Sequence, residues 1–141
     1  MNRIIRSLVS NRNLLVNKNI LSSYNSTDWK QYISFDKQDY KKNLVYRDNN
    51  FEMFVVCWLP NQETKIHNHP EGGCLLKILE GNIIEELYDK NFVLQENNNL
   101  VMSDVRYIDD SIGIHKMKNN EENTISLHIY SPPNFIPSLL K

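Results

Sequence analysis

Acidic residues are missing from the first 27 positions, and cysteine is reduced to Cys57 and Cys74. Two cysteines in no recognisable spacing build neither a disulfide framework nor a zinc ribbon, so a reducing compartment is the simpler reading. Apolar runs such as Phe54 to Leu59 fall far short of a spanning helix, which argues against a membrane partner. With a formal net charge of -1 there is no excess of Lys and Arg to neutralise phosphates, which argues against nucleic acid. Only 4 Gly and 5 Pro, beside 40% hydrophobic residues and mixed charges, describe a globular chain rather than a fibrous or disordered one. No segment repeats at a solenoid period, and 141 residues suit one domain with one ordinary core.

The residues that are present divide the chain at about position 24. Residues 1–24 are apolar and basic, with Arg3, Arg6, Arg12 and Lys18 among Ser7, Ser10, Ser22 and Ser23. That composition suits a mitochondrial transit peptide and equally a solvated basic helix or a disordered terminus. The expected location is therefore cytoplasmic, with mitochondrial as the alternative. Residues 25–141 form the expected globular domain. It opens with a short helix around Trp29 and Tyr32, entered through Ser26-Thr27-Asp28. Seven short β-prone runs follow: 51–59, 64–69, 75–79, 82–88, 101–108, 112–117 and 124–130. Asn91 and Asn97 to Asn99 read as hairpin tips. Many short strands and few helical signals predict an all-β sandwich or barrel.

Four histidines are available for chemistry, and two of them form His67-Asn68-His69. On an extended strand, residues two apart share a face, so both imidazoles can reach one ion while Asn68 turns away. The pair reads equally as two surface histidines beside a turn at Pro70. His115 and His128 are the further ligand candidates. Around His128 the alternation is strict, with Ser126, His128 and Tyr130 on one face and Ile125, Leu127 and Ile129 on the other. Such a polar row either meets solvent or lines a site.

At these residues the chain resembles the cysteine dioxygenases of the cupin superfamily. The resemblance rests on Cys57-Trp58, Ile66 to His69, Cys74 to Asn82, Asp109 to His115 and Ser126 to Pro133, with an upstream match from Asp28 to Val45. The first cupin motif places His-x-His, then Glu, then Gly. His67, His69 and Gly81 match it, and Cys74 stands at the carboxylate position, as is characteristic of this family. In the second motif, His115 is followed after three residues by Asn119. The resemblance implies an all-β, cupin-type (jelly-roll) β-barrel with a short helical N-terminal segment.

It further implies a non-haem Fe(II) enzyme, with L-cysteine and O2 as substrates and cysteine sulfinic acid as product, acting in cysteine catabolism and taurine biosynthesis. His67, His69 and His115 would be the metal ligands. Tyr130, His128, Ser126 and Cys74 would be catalytic, with Cys74 and Tyr130 able to form a thioether crosslink. Lys42 and Trp58 would meet the substrate. Three neutral facial ligands leave coordination positions open and leave the ion its full charge, which favours a thiolate. Three histidines also hold catalytic zinc, so the iron assignment belongs to the resemblance.

Two departures stand out. Where the family has a carboxylate-binding arginine, this chain has Lys42, a cation without the bidentate fork, and Arg47 lies close enough to compensate. Lys42 reads equally as a solvated charge in a polar loop. Family members also usually continue beyond the Ser-Pro-Pro segment, so an uncovered barrel edge is expected here, in a monomer or weak homo-oligomer. The alternatives to the cysteine reading are a dioxygenase of another small thiol and a non-catalytic metal-binding cupin.

Overall fold

Eight strands in two sheets organise all 141 residues of the chain, seen in a computed structural model. Helices α1 (Asn2–Ser10) and α2 (Lys18–Ser23) and a 3-10 turn at Asp28–Tyr32 precede them. The strands are β1 (Lys41–Arg47), β2 (Glu52–Trp58), β3 (Cys74–Glu80), β4 (Asn82–Tyr88), β5 (Leu94–Val101), β6 (Val105–Ile108), β7 (Ile114–Lys118) and β8 (Thr124–Tyr130). One sheet has the order β1-β2-β8-β3-β6 and the other β5-β4-β7, and every pairing is antiparallel. This is the all-β, two-sheet barrel that the cupin resemblance implies.

Period-2 alternation sends the larger sheet's residues to two different cores. Phe54, Val56, Trp58, Cys74, Leu76 and Ile78 face inward and meet Ile83, Leu100 and Met117 of the smaller sheet. Met53, Val55, Cys57, Leu75, Ile125, Leu127 and Ile129 face the opposite way, and Ile4, Leu8, Leu14, Leu21 and Trp29 cover them. Both faces of β2 are therefore buried, which is why its sequence is almost continuously apolar. Residues 1–24 are helical rather than disordered, and their apolar face is buried rather than solvated. Ile4, Leu8, Leu14 and Leu21 are each at most 2% exposed, and each contributes about 1.5–3 kcal/mol by burial. Lys77, the one charge on the covered face of β3, satisfies the end of α2 by donating to the carbonyls of Leu21, Ser22 and Tyr24.

The structure corrects the predicted strands in three places. Residues 97–99 are no hairpin tip: they lie inside β5, an exposed edge strand whose polar side chains face water while its backbone pairs with β4. Residues 41–47 are no polar loop: they form β1, also an edge strand, with Lys41 and Lys42 at its start. Residues 64–69 form no strand: His67 alone makes isolated bridges, to His115 of β7 and to Leu140. Gly81 forms the one-residue turn from β3 to β4 at φ +79°, where a Cβ would lie 2.4 Å from Thr124 Oγ1. The edge expected to stay uncovered is partly closed, since Lys141 pairs with Ile66.

Candidate active site

β7 and the bridge segment beside it bring three imidazoles together. The backbones of His67 and His115 exchange hydrogen bonds of 3.0 and 3.2 Å. His69, two residues further on, is fixed by donating its N–H to Asp110 Oδ1 at 2.8 Å. One ring nitrogen from each of the three lies within 4.8 Å of the others, and the ring centroids are 4.5–5.1 Å apart.

The neighbours of each ring decide which nitrogen is free. His67 Nδ1 lies 2.8 Å from the Lys65 carbonyl, and His115 Nδ1 lies 2.9 Å from Glu85 Oε2. Both acceptors place the proton on Nδ1 and leave Nε2 bare. His69 Nε2 is 3.0 Å from His115 Nε2, while its Nδ1 is buried without a hydrogen-bond partner, 3.5 Å from Asp110 Oδ1. Only a proton on His69 Nδ1, aimed at Asp110, frees all three Nε2 lone pairs. Bare nitrogens facing one another need a cation, so the donor set suits a metal ion, and second acceptors behind the imidazoles are the usual support of such a site. Burial, then the neighbouring imidazoles, holds His67 down to about 3 and His69 lower still. At neutral pH these two ligands are uncharged.

Glu85 was not legible as a site residue. It is 2% exposed and accepts hydrogen bonds from His115, from Arg106 Nε at 3.0 Å and from Asn98 at 3.3 Å. Burial alone would raise its carboxyl, but these donors and their charge together hold it below its usual value. The available signal was its place between Ile83 and Leu87 on the inward face of β4, where a carboxylate requires partners.

β8 supplies the second cluster, and its polar row faces inward. Trp58 Nε1 donates to Ser126 Oγ at 3.0 Å, Ser126 Oγ lies 2.8 Å from His128 Nε2, and His128 Nδ1 lies 3.1 Å from Tyr130 Oη. Ser126 is fully buried and His128 is the one acceptor within its reach, so the hydroxyl donates to Nε2. The proton of His128 then sits on Nδ1, which donates to Tyr130. Burial, then the Lys42 charge, keeps His128 neutral, and burial raises the Tyr130 phenol. Cys74 is directly opposite Tyr130 in the β3–β8 register, and burial pushes its thiol up to about 12 despite Lys42 and Tyr130.

A cavity of about 470 Å³ joins the clusters. Lys42, Trp58, His67, His115, His128 and Tyr130 line it, whereas His69, Cys74 and Ser126 lie behind its wall. Lys42 is open to solvent through the mouth, yet its ammonium rests 4.9 Å from the Phe54 ring centroid and 4.7 Å from that of Tyr130. Burial lowers it, offset in part by Cys74 and Glu52, and no carboxylate forms an ion pair with it. Arg47, five positions on, would normally face away. A bulge between Leu44 and Tyr46 returns it to the inward side, where it pairs with Glu52 at 2.9 Å. Tyr40 stacks on Trp58 with centroids 4.7 Å apart. The cavity thus combines imidazole nitrogens suited to a metal ion with the ammonium of Lys42, which has no carboxylate partner.

The family model for cysteine dioxygenase type I matches residues 1–136. Cysteine dioxygenase type 1 of Homo sapiens is 38% identical over 125 residues, and that of Rattus norvegicus 35% identical over 125 residues. Each alignment covers 81% of this chain and 62% of the relative, so the chain spans about six-tenths of the length of these proteins. Among solved structures, a double-stranded β-helix protein of Klebsiella pneumoniae superposes with a TM-score of 0.68 at 18% identity, covering 84% of this chain and 93% of that one. A cupin superfamily protein of Desulfitobacterium hafniense gives a TM-score of 0.59 at 15% identity, covering 70% and 83% respectively. These two likenesses show the fold alone.

Proposed function

The chain belongs to the cysteine dioxygenase type I family, and from that membership we propose that it is an iron-dependent thiol dioxygenase that converts L-cysteine and O2 to cysteine sulfinic acid. The observation that carries the reading is the convergence of His67, His69 and His115, two of which, His67 and His115, line a cavity shared with Tyr130 and Lys42. His67, His69 and His115 would hold Fe(II). When bound, ferrous iron supplies open coordination positions for a chelating thiol and for O2, together with the electrons that activate the latter.

The chain's own residues would bind and orient the substrate. Lys42 offers its ammonium to the substrate carboxylate, and no internal carboxylate competes for it. His128 Nδ1–H donates to Tyr130 Oη, which leaves the phenol's own proton to be donated, to the neighbouring Cys74 sulfur at rest and toward substrate or oxygen once they are bound. Trp58 and Ser126 fix the tautomer that makes this possible. Uncharged imidazoles add no negative charge to the site, which favours binding of an anionic thiolate. Cys74 and Tyr130 would form a thioether, a two-electron oxidation for which O2 is the oxidant, and their opposition across β3 and β8 supports it.

A different small thiol is the second reading, and Lys42 is the observation that favours it. A single ammonium fixes a carboxylate less directionally than a guanidinium fork. Oxygen uptake and product analysis with cysteine, cysteamine and 3-mercaptopropionate separate the two. We expect sulfinate from cysteine and slow turnover of cysteamine, which lacks the carboxylate. Inert cysteine beside rapid turnover of another thiol would move the assignment to the second reading, and turnover of none would refute both.

A further inference from the structure

Residues 134–141 fold back across the mouth of the cavity, and the middle residue of the His-x-His motif holds them there. Lys141 exchanges backbone hydrogen bonds of 2.9 and 3.4 Å with Ile66. Asn68 makes the second attachment. Its Oδ1 accepts the backbone N–H groups of Ser138 and Leu139 at 3.0 and 3.1 Å, and its Nδ2 donates to Ser138 Oγ at 3.0 Å. The side chain is buried, and both lone pairs of its carbonyl oxygen are used on this one segment.

Beyond these bonds the segment has the bridge of Leu140 to His67 and the ammonium of Lys141, 4.6 Å from the Phe92 ring centroid. Ile136 is 85% exposed and Leu140 56%, and no regular strand or helix runs through these residues. A stretch with few buried contacts opens more easily than the core, so its position depends on its few hydrogen bonds. Yet Phe135, Pro137 and Leu140 line the cavity together with His67 and Lys42. Asn68 does not turn idly away from the two imidazoles that flank it. It ties the metal-ligating motif to the wall.

We propose that Asn68 is a positioning residue that latches residues 134–141 over the pocket, so that Phe135, Pro137 and Leu140 limit the size of the thiol. The size limit rests on the thiol dioxygenase reading, whereas the latch does not. Amide hydrogen exchange on the full chain reads the latch without any turnover. In Asn68→Ala the Ser138 and Leu139 amides should exchange at least about 10-fold faster. In Asn68→Asp, which keeps the oxygen that accepts both N–H groups, they should stay near the wild-type rate.

Relative kcat/KM for the tripeptide thiol glutathione against cysteine reads the filter. It should rise at least about 10-fold in Asn68→Ala. It should rise also in Phe135→Ala, which trims the wall and leaves the latch in place, so that variant carries the test if Asn68→Ala does not fold. Unchanged exchange in Asn68→Ala overturns the latch. Faster exchange with an unchanged thiol ratio in both variants overturns the size filter. A wild-type protein that oxidises neither thiol fails at the functional reading instead, and the exchange result still decides the latch.

Discussion

Replacing Glu85 by Gln tests how the residues behind the imidazoles support the candidate metal centre. The carboxylate offers two acceptor oxygens: Oε2 takes the His115 Nδ1–H at 2.9 Å, and Oε1 takes Arg106 at 3.0 Å and Asn98 at 3.3 Å. A carboxamide has the same shape with only one acceptor. If it turns its oxygen to His115, its NH2 group confronts the donors of Arg106 and Asn98; if it turns the other way, His115 loses the acceptor that keeps its proton on Nδ1. Either way, the lone pair offered to a metal becomes less basic or less available. Loss of such a support typically weakens metal binding by about 10–100-fold, which corresponds to about 1.4–2.7 kcal/mol. Fe(II) affinity measured by chelator competition, with circular dichroism as a check that the fold persists, is the assay. An affinity within twofold of wild type in the folded variant would refute the idea that Glu85 sets the state of His115.

Three further outcomes follow from other parts of the site. Lys42→Gln should raise KM for cysteine by about 10–100-fold, the worth of one charge-assisted hydrogen bond, and leave cysteamine kinetics nearly unchanged; equal effects on both thiols would remove Lys42 from the carboxylate. Metal-free protein should lose thermal stability as pH falls from 7 to 5. His67 is held down to about 3 from the usual 6.5, and His69 and His128 are lowered too, so the unfolded chain takes up protons there that the folded chain refuses. Stability contributed this way is complete above about 6.5 and is lost toward the folded values, and a melting temperature flat across that interval would contradict it. Intact mass after turnover in air should show the loss of two hydrogens in wild type and not in Cys74→Ser; the same loss in both would exclude the Cys74–Tyr130 bond.

The fold was legible wherever burial is one-sided or complete. Strands β4 and β8 stand at the predicted positions because their alternation and flanking turns agree. The edge strands β1 and β5 were not legible, since they pair through backbone and leave Lys41 or Asn97 in water, a pattern that reads as loop. For the site, the residues themselves offered His67, His69, His115 and His128 as ligand candidates and left the row of Ser126, His128 and Tyr130 open between solvent and a site. The family resemblance added Cys74 and Lys42 to them. Glu85, Asp110 and Asn68 escaped because their meaning comes from a partner distant in the chain: Glu85 from His115, Asp110 from His69, Asn68 from Ser138. A bulge in β1, invisible to simple alternation, sets Arg47 on the same face as Lys42 and at the same time hands it to Glu52.

The most direct measurement of the central claim is iron content and cysteine sulfinate formation determined on the same samples of wild type and His115→Ala. The account predicts close to one iron per chain and sulfinate in wild type, and neither in the variant. Sulfinate formed undiminished by His115→Ala, or iron-loaded wild type that consumes no oxygen with any thiol, would contradict it.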